Sequence, residues 1–253
     1  MSYTDELSLA VKTAQQAGSI QLENQYKVLN IEIKQDRSPV TDVDKECEQL
    51  IRNELLSAFP DDGFIGEETG NIEEKSGRIW MVDPLDGTRP YIRGIPTYSV
   101  LIGLEDKGEF VVGVTHFPAK EETYWASKGD GAFCNNRRIH VSDTKDMSAV
   151  MGSSLGFIEK SASPEGQRLL KLMQRWDYTY GFMDAYSYMC VASGKLDVCI
   201  SLIDSPLDRA SAACIITEAG GTYSDLQGNK TVNNSSFVLS NGILHDQIIK
   251  HFK

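Results

Sequence analysis

The stretch Trp80-Met81-Val82-Asp83-Pro84-Leu85-Asp86-Gly87-Thr88 constrains this 253-residue chain more than any other. An apolar run ends in two aspartates, with Pro84 and Leu85 between them and Gly87-Thr88 behind them. Ile79 to Val82 reads as a short buried strand. Pro84 has no N–H to give to a ladder and should end it. Gly87 allows a tight turn and a close approach of backbone to a ligand. Asp83 and Asp86 are therefore expected at the tip of a rigid strand, facing one small volume. Two carboxylates about 4 Å apart repel by about 4 kcal/mol at an effective dielectric near 20. A hard divalent cation is the usual remedy. Asp-Pro and Asp-Gly are also common turn dipeptides, so the metal reading depends on what accompanies them.

Two further acidic segments do. Upstream, Phe64-Ile65-Gly66-Glu67-Glu68-Thr69-Gly70 is again a short apolar piece that ends in acids. Neighbouring residues at a strand end point to opposite sides, so one glutamate faces a site and the other does not. Downstream, Asp204-Ser205-Pro206-Leu207-Asp208 opens a helix running through Ala212, Ala213, Ile215 and Ile216 to a stop at Gly220-Gly221. Asp208 taken alone would be a favourable charge in a first helical turn.

Composition sets limits. At this length, with 41% apolar residues, the chain suits a single domain over 1–253. Its one candidate seam is the polar run 142–148 between two strand-like stretches. A net charge of −11 argues against nucleic-acid partners and anionic membrane surfaces. There is no signal-peptide pattern, and no apolar run approaches the length of a membrane span. Cys47, Cys134, Cys190, Cys199 and Cys214 are scattered and never paired as Cys-x-x-Cys, which reads as reduced thiols in a cytoplasmic protein. His116, His140, His245 and His251 show no zinc spacing.

Periodicity gives a coarse element map. Leu7, Val11, Ala14, Gly18 and Leu22 form a helical stripe, predicting one helix over 4–28; Val43, Cys47, Ile51 and Leu55 predict a second over 42–59. Residues 34–40 between them are polar and read as a mobile connection. Strand-like runs cover 63–66, 78–83, 98–104, 110–117, 123–126 and 137–141, with Asp106-Lys107-Gly108 as a hairpin turn. After the seam, strands at 149–153, 178–181, 196–200, 221–225 and 237–240 alternate with helices at 164–175, 185–193, 207–219 and 244–252. Early antiparallel strands followed by β–α alternation predict an α/β (α+β) chain of two sheets layered with helices.

Gly-Glu-Glu at 66–68, Asp-Pro-Leu-Asp-Gly-Thr at 83–88, and Asp208 before a small-residue helix ending Thr217-Glu218-Ala219-Gly220-Gly221 together resemble the inositol monophosphatase superfamily, in order and spacing, over nearly the whole chain. The resemblance implies the αβαβα sandwich shared with fructose-1,6-bisphosphatase. It also implies a Mg²⁺-dependent phosphomonoesterase using two or three ions, with Mn²⁺ as a substitute. Glu67, Asp83 and the carbonyl of Leu85 would hold one ion; Asp83, Asp86 and Asp208 would hold a second; a third would share Glu67. The residue chemistry agrees, because all-oxygen acid ligands without His or Cys select Mg²⁺ or Mn²⁺. By the same resemblance a helix begins at Thr88, and free N–H groups at Gly87 and Thr88 would cradle the phosphate. Thr88 would orient the attacking water, and Asp44 or Glu67 would accept its proton. Asp42 and Asp44 both also read as capping charges of the second helix; register with the superfamily selects Asp44.

Substrate choice rests on weaker signals. Inositol-type members carry Asn-Phe after Gly-Thr, where this chain has Arg89-Pro90-Tyr91. Asp184-Ala185-Tyr186-Ser187-Tyr188 is similar to the histidinol-phosphate phosphatases of the superfamily, and an acid at Asp184 suits the ammonium of histidinol. The substrate-binding set is then Glu67, Leu85, Asp86, Gly87, Thr88, Asp184 and Asp208. Two departures affect both readings: the superfamily's Trp before the last metal-binding Asp is Leu207, and the acid about seven residues earlier is Ser201. The alternatives are an inositol-1-monophosphatase or broad polyol phosphatase, a nucleotide 3′-phosphatase, and a non-catalytic phosphate sensor on the same scaffold. The expected partner is a small phosphate ester, and analogy with relatives implies a homodimer.

Overall fold

The computed structural model describes residues 2–35, 37–181 and 184–253. Its first element, α1 (Thr4–Asn24), turns the buried stripe Ala10, Ala14 and Ala17 inward. It ends earlier than the stripe predicts, because Lys27 N–H closes a turn on the Asn24 carbonyl. The end of the connection that reads as mobile, residues 39–40, enters a short strand: β1 (Ile31–Ile33) lies antiparallel against β2 (Pro39–Thr41). Thr41 then caps α2 (Asp42–Ala58) in a capping box closed by Asp44.

A seven-stranded sheet follows: β3 (Gly63–Gly66), β4 (Arg78–Asp86), β5 (Ser99–Asp106), β6 (Glu109–Phe117), β7 (Glu122–Ser127), β8 (Gly131–Cys134) and β9 (Arg137–Ile139). The strands lie side by side in chain order, with β3 and β4 parallel and the rest antiparallel. The hairpin between β5 and β6 turns through Lys107 at φ 53 and Gly108 at φ 84, the left-handed pair a two-residue hairpin needs. Strand β8 is not visible in the sequence pattern: it is four residues long and opens on a glycine. The short helix α3 (Thr88–Ile92) follows β4.

The polar run 142–148 lies between this sheet and a second one. Five strands order as β11-β10-β12-β14-β13, from β10 (Met151–Leu155), β11 (Tyr178–Tyr180), β12 (Val198–Ser201), β13 (Thr222–Ser224) and β14 (Phe237–Ser240). Interleaved are α4 (Pro164–Met173), α5 (Asp184–Ala192), α6 (Pro206–Glu218) and α7 (His245–Phe252).

Three cores define the layers. Ala14, Cys47, Ile51 and Leu55 of α1 and α2 pack on Val82, Val100, Ile102 and Val112 of the large sheet. Its other face meets α5 and α6, whose opposite sides meet Leu239 and Phe237 of the small sheet. Leu169, Leu172, Ile248 and Phe252 of α4 and α7 cover the far face of that sheet. The order α–β–α–β–α is the layered sandwich that the family resemblance implies. Among the described residues, no helix is long and apolar enough to cross a membrane.

Candidate active site

Strand β4 does not stop at Pro84. Its pairing with β5 runs to Asp83 opposite Leu101, shifts register, and resumes at Asp86 opposite Ser99. Pro84 sits in that irregularity, where the missing N–H breaks no ladder bond. The bulge lets Asp83 and Asp86 converge, which strict alternation would prevent. Gly87 at φ 80 then turns the chain into α3. A Cβ there would lie 3.1 Å from Asp184 Oδ2, so the glycine also admits that side chain.

The third acid arrives on α6, and close packing brings it in. Gly103 and Gly113 are direct cross-strand partners in β5 and β6. A Cβ on Gly113 would lie 2.3 Å from the Ser211 carbonyl, and one on Gly103 2.8 Å from Ala210. Two bare positions on the sheet and the small residues Ala210, Ser211 and Ala213 on the helix let the backbones approach closely. At the head of α6, Ser205 Oγ accepts from the Leu207 and Asp208 N–H groups, and Asp208 Oδ2 accepts the Ser205 N–H at 2.6 Å. The cap fixes Asp208, and carboxylate oxygens of Asp83, Asp86 and Asp208 lie within 4.8 Å of one another.

These acids are poorly supplied with internal donors. Leu85 N–H reaches Asp83 Oδ1 at 3.0 Å; Ser99 Oγ and Ala185 N–H reach Asp86 Oδ2 at 2.9 and 3.1 Å. Burial, and then Glu67, Asp208 and Asp86, push the Asp83 carboxyl well above the usual carboxylate range. Burial, Asp184 and Asp208 do the same to Asp86, against the Ala185 and Ser99 bonds. A group of buried carboxylates that cannot all ionise together, with no nitrogen or sulfur ligand among them, fits a hard divalent cation.

Around them a cavity of ≈ 300 Å³ is lined by Glu67, Asp83, Leu85, Asp86, Gly87, Thr88, Asp184 and Asp208, every residue the sequence selects except Asp44. Asp44 is buried just behind. Its Oδ2 accepts from the Thr41 N–H and hydroxyl at 2.8 and 2.6 Å, and its Oδ1 lies 3.1 Å from Thr88 Oγ1. The capping reading of Asp44 holds, and the same side chain reaches the Thr88 hydroxyl. Burial raises its pKa despite those bonds. Thr88 Oγ1 also lies 3.2 Å from the Leu85 carbonyl, so its single proton has two acceptors and its lone pairs remain available to a water. Asp42 is exposed.

Glu67 stands at the edge and is not part of the tight aspartate group. Of the two glutamates, Glu67 lines the cavity and Glu68 does not, as expected. Lys34 Nζ reaches both carboxylates, at 2.6 and 2.5 Å. Burial raises the Glu67 pKa, and Lys34 opposes it. Glu48 fixes this loop from below: its carboxylate accepts from the Glu68 N–H at 2.8 Å and from the Thr69 N–H and hydroxyl at 2.5 Å. Gly66 makes room, since a Cβ there would meet Glu48 at 2.5 Å. The sequence held a signal for Glu48: with Asp44, Ile51 and Leu55 it shares one face of α2, an acid on an apolar stripe.

Asp184 opens α5 with φ 55. Its Oδ2 is buried with no hydrogen-bond partner among the described residues. Burial and Asp208 push its pKa up to about 6. Ser201 is buried, and its hydroxyl accepts from the Ile203 and Asp204 N–H groups. Leu207 is half-buried beside Asp208.

The family described as the inositol monophosphatase family matches residues 3–253. A histidinol-phosphatase of Chlorobaculum parvum is 37% identical over 94% of this chain and 92% of its own length. A fructose-1,6-bisphosphatase/inositol-1-monophosphatase of Thermotoga maritima is 30% identical, covering 97% of this chain and 95% of its own. Among solved structures, the extragenic suppressor protein suhB from Bartonella henselae superposes with a TM-score of 0.91 at 27% identity, over 98% of both chains.

Proposed function

The chain belongs to the inositol monophosphatase family and is a phosphoric monoester hydrolase; from that premise we propose that it is Mg²⁺-dependent and prefers histidinol phosphate. The observation that carries the substrate is Asp184. Its buried carboxylate oxygen, without a hydrogen-bond partner among the described residues, lies against Gly87, next to the groups assigned to the phosphate. An unpaired buried acceptor is costly, and a substrate ammonium two or three bonds from the phosphate would satisfy it. An uncharged polyol would leave the charge unmatched. The name of the C. parvum relative supports the same substrate.

The family is metal-dependent, and the acid-only group here fits Mg²⁺, with Asp83, Asp86 and Asp208 as ligands and Glu67 and the Leu85 carbonyl completing the set. The bound metal supplies Lewis acidity toward the phosphoester and its attacking water. The chain's own groups do the rest. First-turn N–H groups at Gly87 and Thr88 receive phosphate oxygens. Thr88 Oγ1 accepts from the attacking water and holds it in line with the ester oxygen, and Asp44, behind Thr88, takes the proton that is lost. The bond from phosphorus to the ester oxygen breaks, the leaving alkoxide takes a proton from solvent to become the alcohol, and inorganic phosphate remains. All five cysteines are free, which supports a reducing, cytoplasmic setting.

A panel of phosphomonoesters with Mg²⁺ tests this: histidinol phosphate, inositol 1-phosphate, glycerol 2-phosphate and adenosine 3′,5′-bisphosphate. Histidinol phosphate should give the highest kcat/KM, and chelator should abolish turnover until Mg²⁺ or Mn²⁺ is returned. Preference for inositol 1-phosphate would move the chain to the reading its T. maritima relative suggests. Full activity in excess chelator would end the metal assignment.

A further inference from the structure

A second cavity, of ≈ 470 Å³, adjoins the first, and Asp184 and Ile203 line both. Its lining includes the apolar Phe157, Ile158 and Met173 and, besides Asp184, the acids Glu159 and Asp204. Two isoleucines at its rim stand in solvent, Ile158 at 75% and Ile203 at 50% exposure. Ile203 packs onto Gly156, where a Cβ would come within 2.3 Å of Ile203 Cγ2. Large apolar side chains left exposed in the lining of a cleft mark a surface that a ligand covers.

Asp204 is held in place with care. Tyr188 donates its hydroxyl proton to Oδ2, Ser201 Oγ accepts the Asp204 N–H at 3.2 Å, and Arg209 donates to the Asp204 carbonyl. Among the described residues Tyr188 alone donates to that carboxylate. Ser201 stands where the superfamily resemblance calls for an acid, and its hydroxyl instead fixes the turn that presents Asp204 three residues later. An acid is thus absent at the end of β12 and present three residues on, in the lining of the adjoining cavity.

We propose that this cavity is a side-group pocket of the substrate site, and that Asp204 selects amino-alcohol phosphates whose ammonium-bearing carbon carries a flat N–H-donating ring. The ring would lie between Ile158 and Ile203 and donate its N–H toward Asp204, while Asp184 takes the ammonium. The pocket rests on the amino-alcohol reading of Asp184 given above.

Three esters separate the two claims. Histidinol phosphate has ammonium and ring, alaninol phosphate has ammonium and a methyl group, and glycerol 2-phosphate has neither. The wild-type enzyme with Mg²⁺ should prefer histidinol over alaninol phosphate, and alaninol over glycerol 2-phosphate. In Asp204→Asn the histidinol-to-alaninol ratio of kcat/KM should fall several-fold, about the weight of one hydrogen bond, mainly through KM. In Asp184→Asn that ratio should hold, while the alaninol-to-glycerol ratio falls. If alaninol and histidinol phosphates are equal and both beat glycerol 2-phosphate, the pocket is wrong and the amino-alcohol reading stands. If glycerol 2-phosphate is preferred to both, the two fall together. An Asp204→Asn enzyme that loses equally on all three esters would show a structural role only and overturn the proposal. Should that variant not fold, wild-type product inhibition decides: histidinol should inhibit more tightly than alaninol, and equal inhibition overturns the pocket.

Discussion

Strand β4 has a buried acid cluster at each end, and the two are built in opposite ways. At its start Arg78 brings a cation with it. Its Nε and Nη2 meet both oxygens of Asp62 at 2.8 and 2.9 Å, and its Nη1 meets Glu6 at 2.6 Å. Trp80 Nε1 and Ser76 Oγ add bonds to Asp62 at 3.0 and 2.8 Å. At its end, Asp83, Asp86 and Asp208 share a small volume, and among the described residues no Lys, Arg or His forms an ion pair with them. A carboxylate that serves the fold is given its counter-charge by the chain. A carboxylate group without one is poised for a cation from outside, and that contrast separates the site from the scaffold better than acidity does.

Substitution at the two ends should therefore act on different observables. Asp86→Asn keeps acceptor geometry for Ser99 and Ala185 and removes a charge. Loss of an ion that steadies the leaving oxygen is worth several kcal/mol, so kcat should fall about 10²-fold or more. The metal-free variant should melt no lower than wild type, since one member of a repelling group is gone. A correctly folded Asp86→Asn enzyme with near-normal kcat would erase the distinction between the clusters.

Arg78→Met should do the reverse. It leaves Asp62 buried without its guanidinium, and breaking such a pair costs about 3 kcal/mol, the low end of the range because Arg78 is partly exposed. For a chain of this size that corresponds to a Tm drop of roughly 6 to 12 °C. Activity of the folded fraction should be retained, because Arg78 lies outside the site. Loss of kcat without loss of Tm would reverse the two roles.

How legible this was follows from where each signal lies. Asp83, Asp86 and Asp208 could be read because the turn chemistry that places them, Pro84, Gly87 and Ser205-Pro206, is local. That β4 continues through Pro84 could not, since a bulge depends on the partner strand β5. The contact of Gly103 and Gly113 with α6 needs a cross-strand register that no single segment carries. The side-group cavity was hidden for the same reason: its walls come from the segment after β10, from β11 and from the turn before α6. Lys34 was missed because three-residue strands, one exposed and one buried, are too short to leave a periodic trace, yet the β1–β2 pair carries it to Glu67.

Acidity gives a smaller effect with a definite sign. Asp83, Asp86 and Asp184 all have folded pKa values above their ordinary ones, the last moving from 3.8 to about 6. Above the ordinary value the folded state binds more protons than the unfolded state, so stability falls as pH rises through this window. Buried His116 and His245, whose pKa values lie below the ordinary one, add stability as pH rises from 5.5, so the reading is a difference between proteins that share them. Between pH 5.5 and pH 8 chelated wild type should lose Tm relative to chelated Asp86→Asn and relative to the Mg²⁺-loaded protein. No relative loss would mean that the acids at this end of β4 are as well compensated as Asp62.

Glu67 blurs the comparison, and the smallest predicted effect falls there. It lines the proposed metal site, yet it has an internal cation of its own in Lys34, 2.6 Å away. Burial works against the Lys34 ammonium, and the bonds to Glu67 and Glu68 outweigh it, holding the amine protonated. The Lys34 and Glu67 side chains remain 25% and 39% exposed, so their pairing is a surface one. Such pairs contribute about 0.2–1 kcal/mol. If Glu67 is a ligand, the amine and the metal compete for one carboxylate, and Lys34→Met should tighten Mn²⁺ binding about 1.5- to 5-fold by that measure. Electron paramagnetic resonance titration at fixed ionic strength would read it directly, without turnover. The gain should vanish in a Glu67→Gln background, because the cycle isolates the one contact. Weaker binding in Lys34→Met would mean that the lysine holds Glu67 in place for the metal instead of competing with it, and Glu67 would then belong with Asp62, among the acids the chain neutralises for itself.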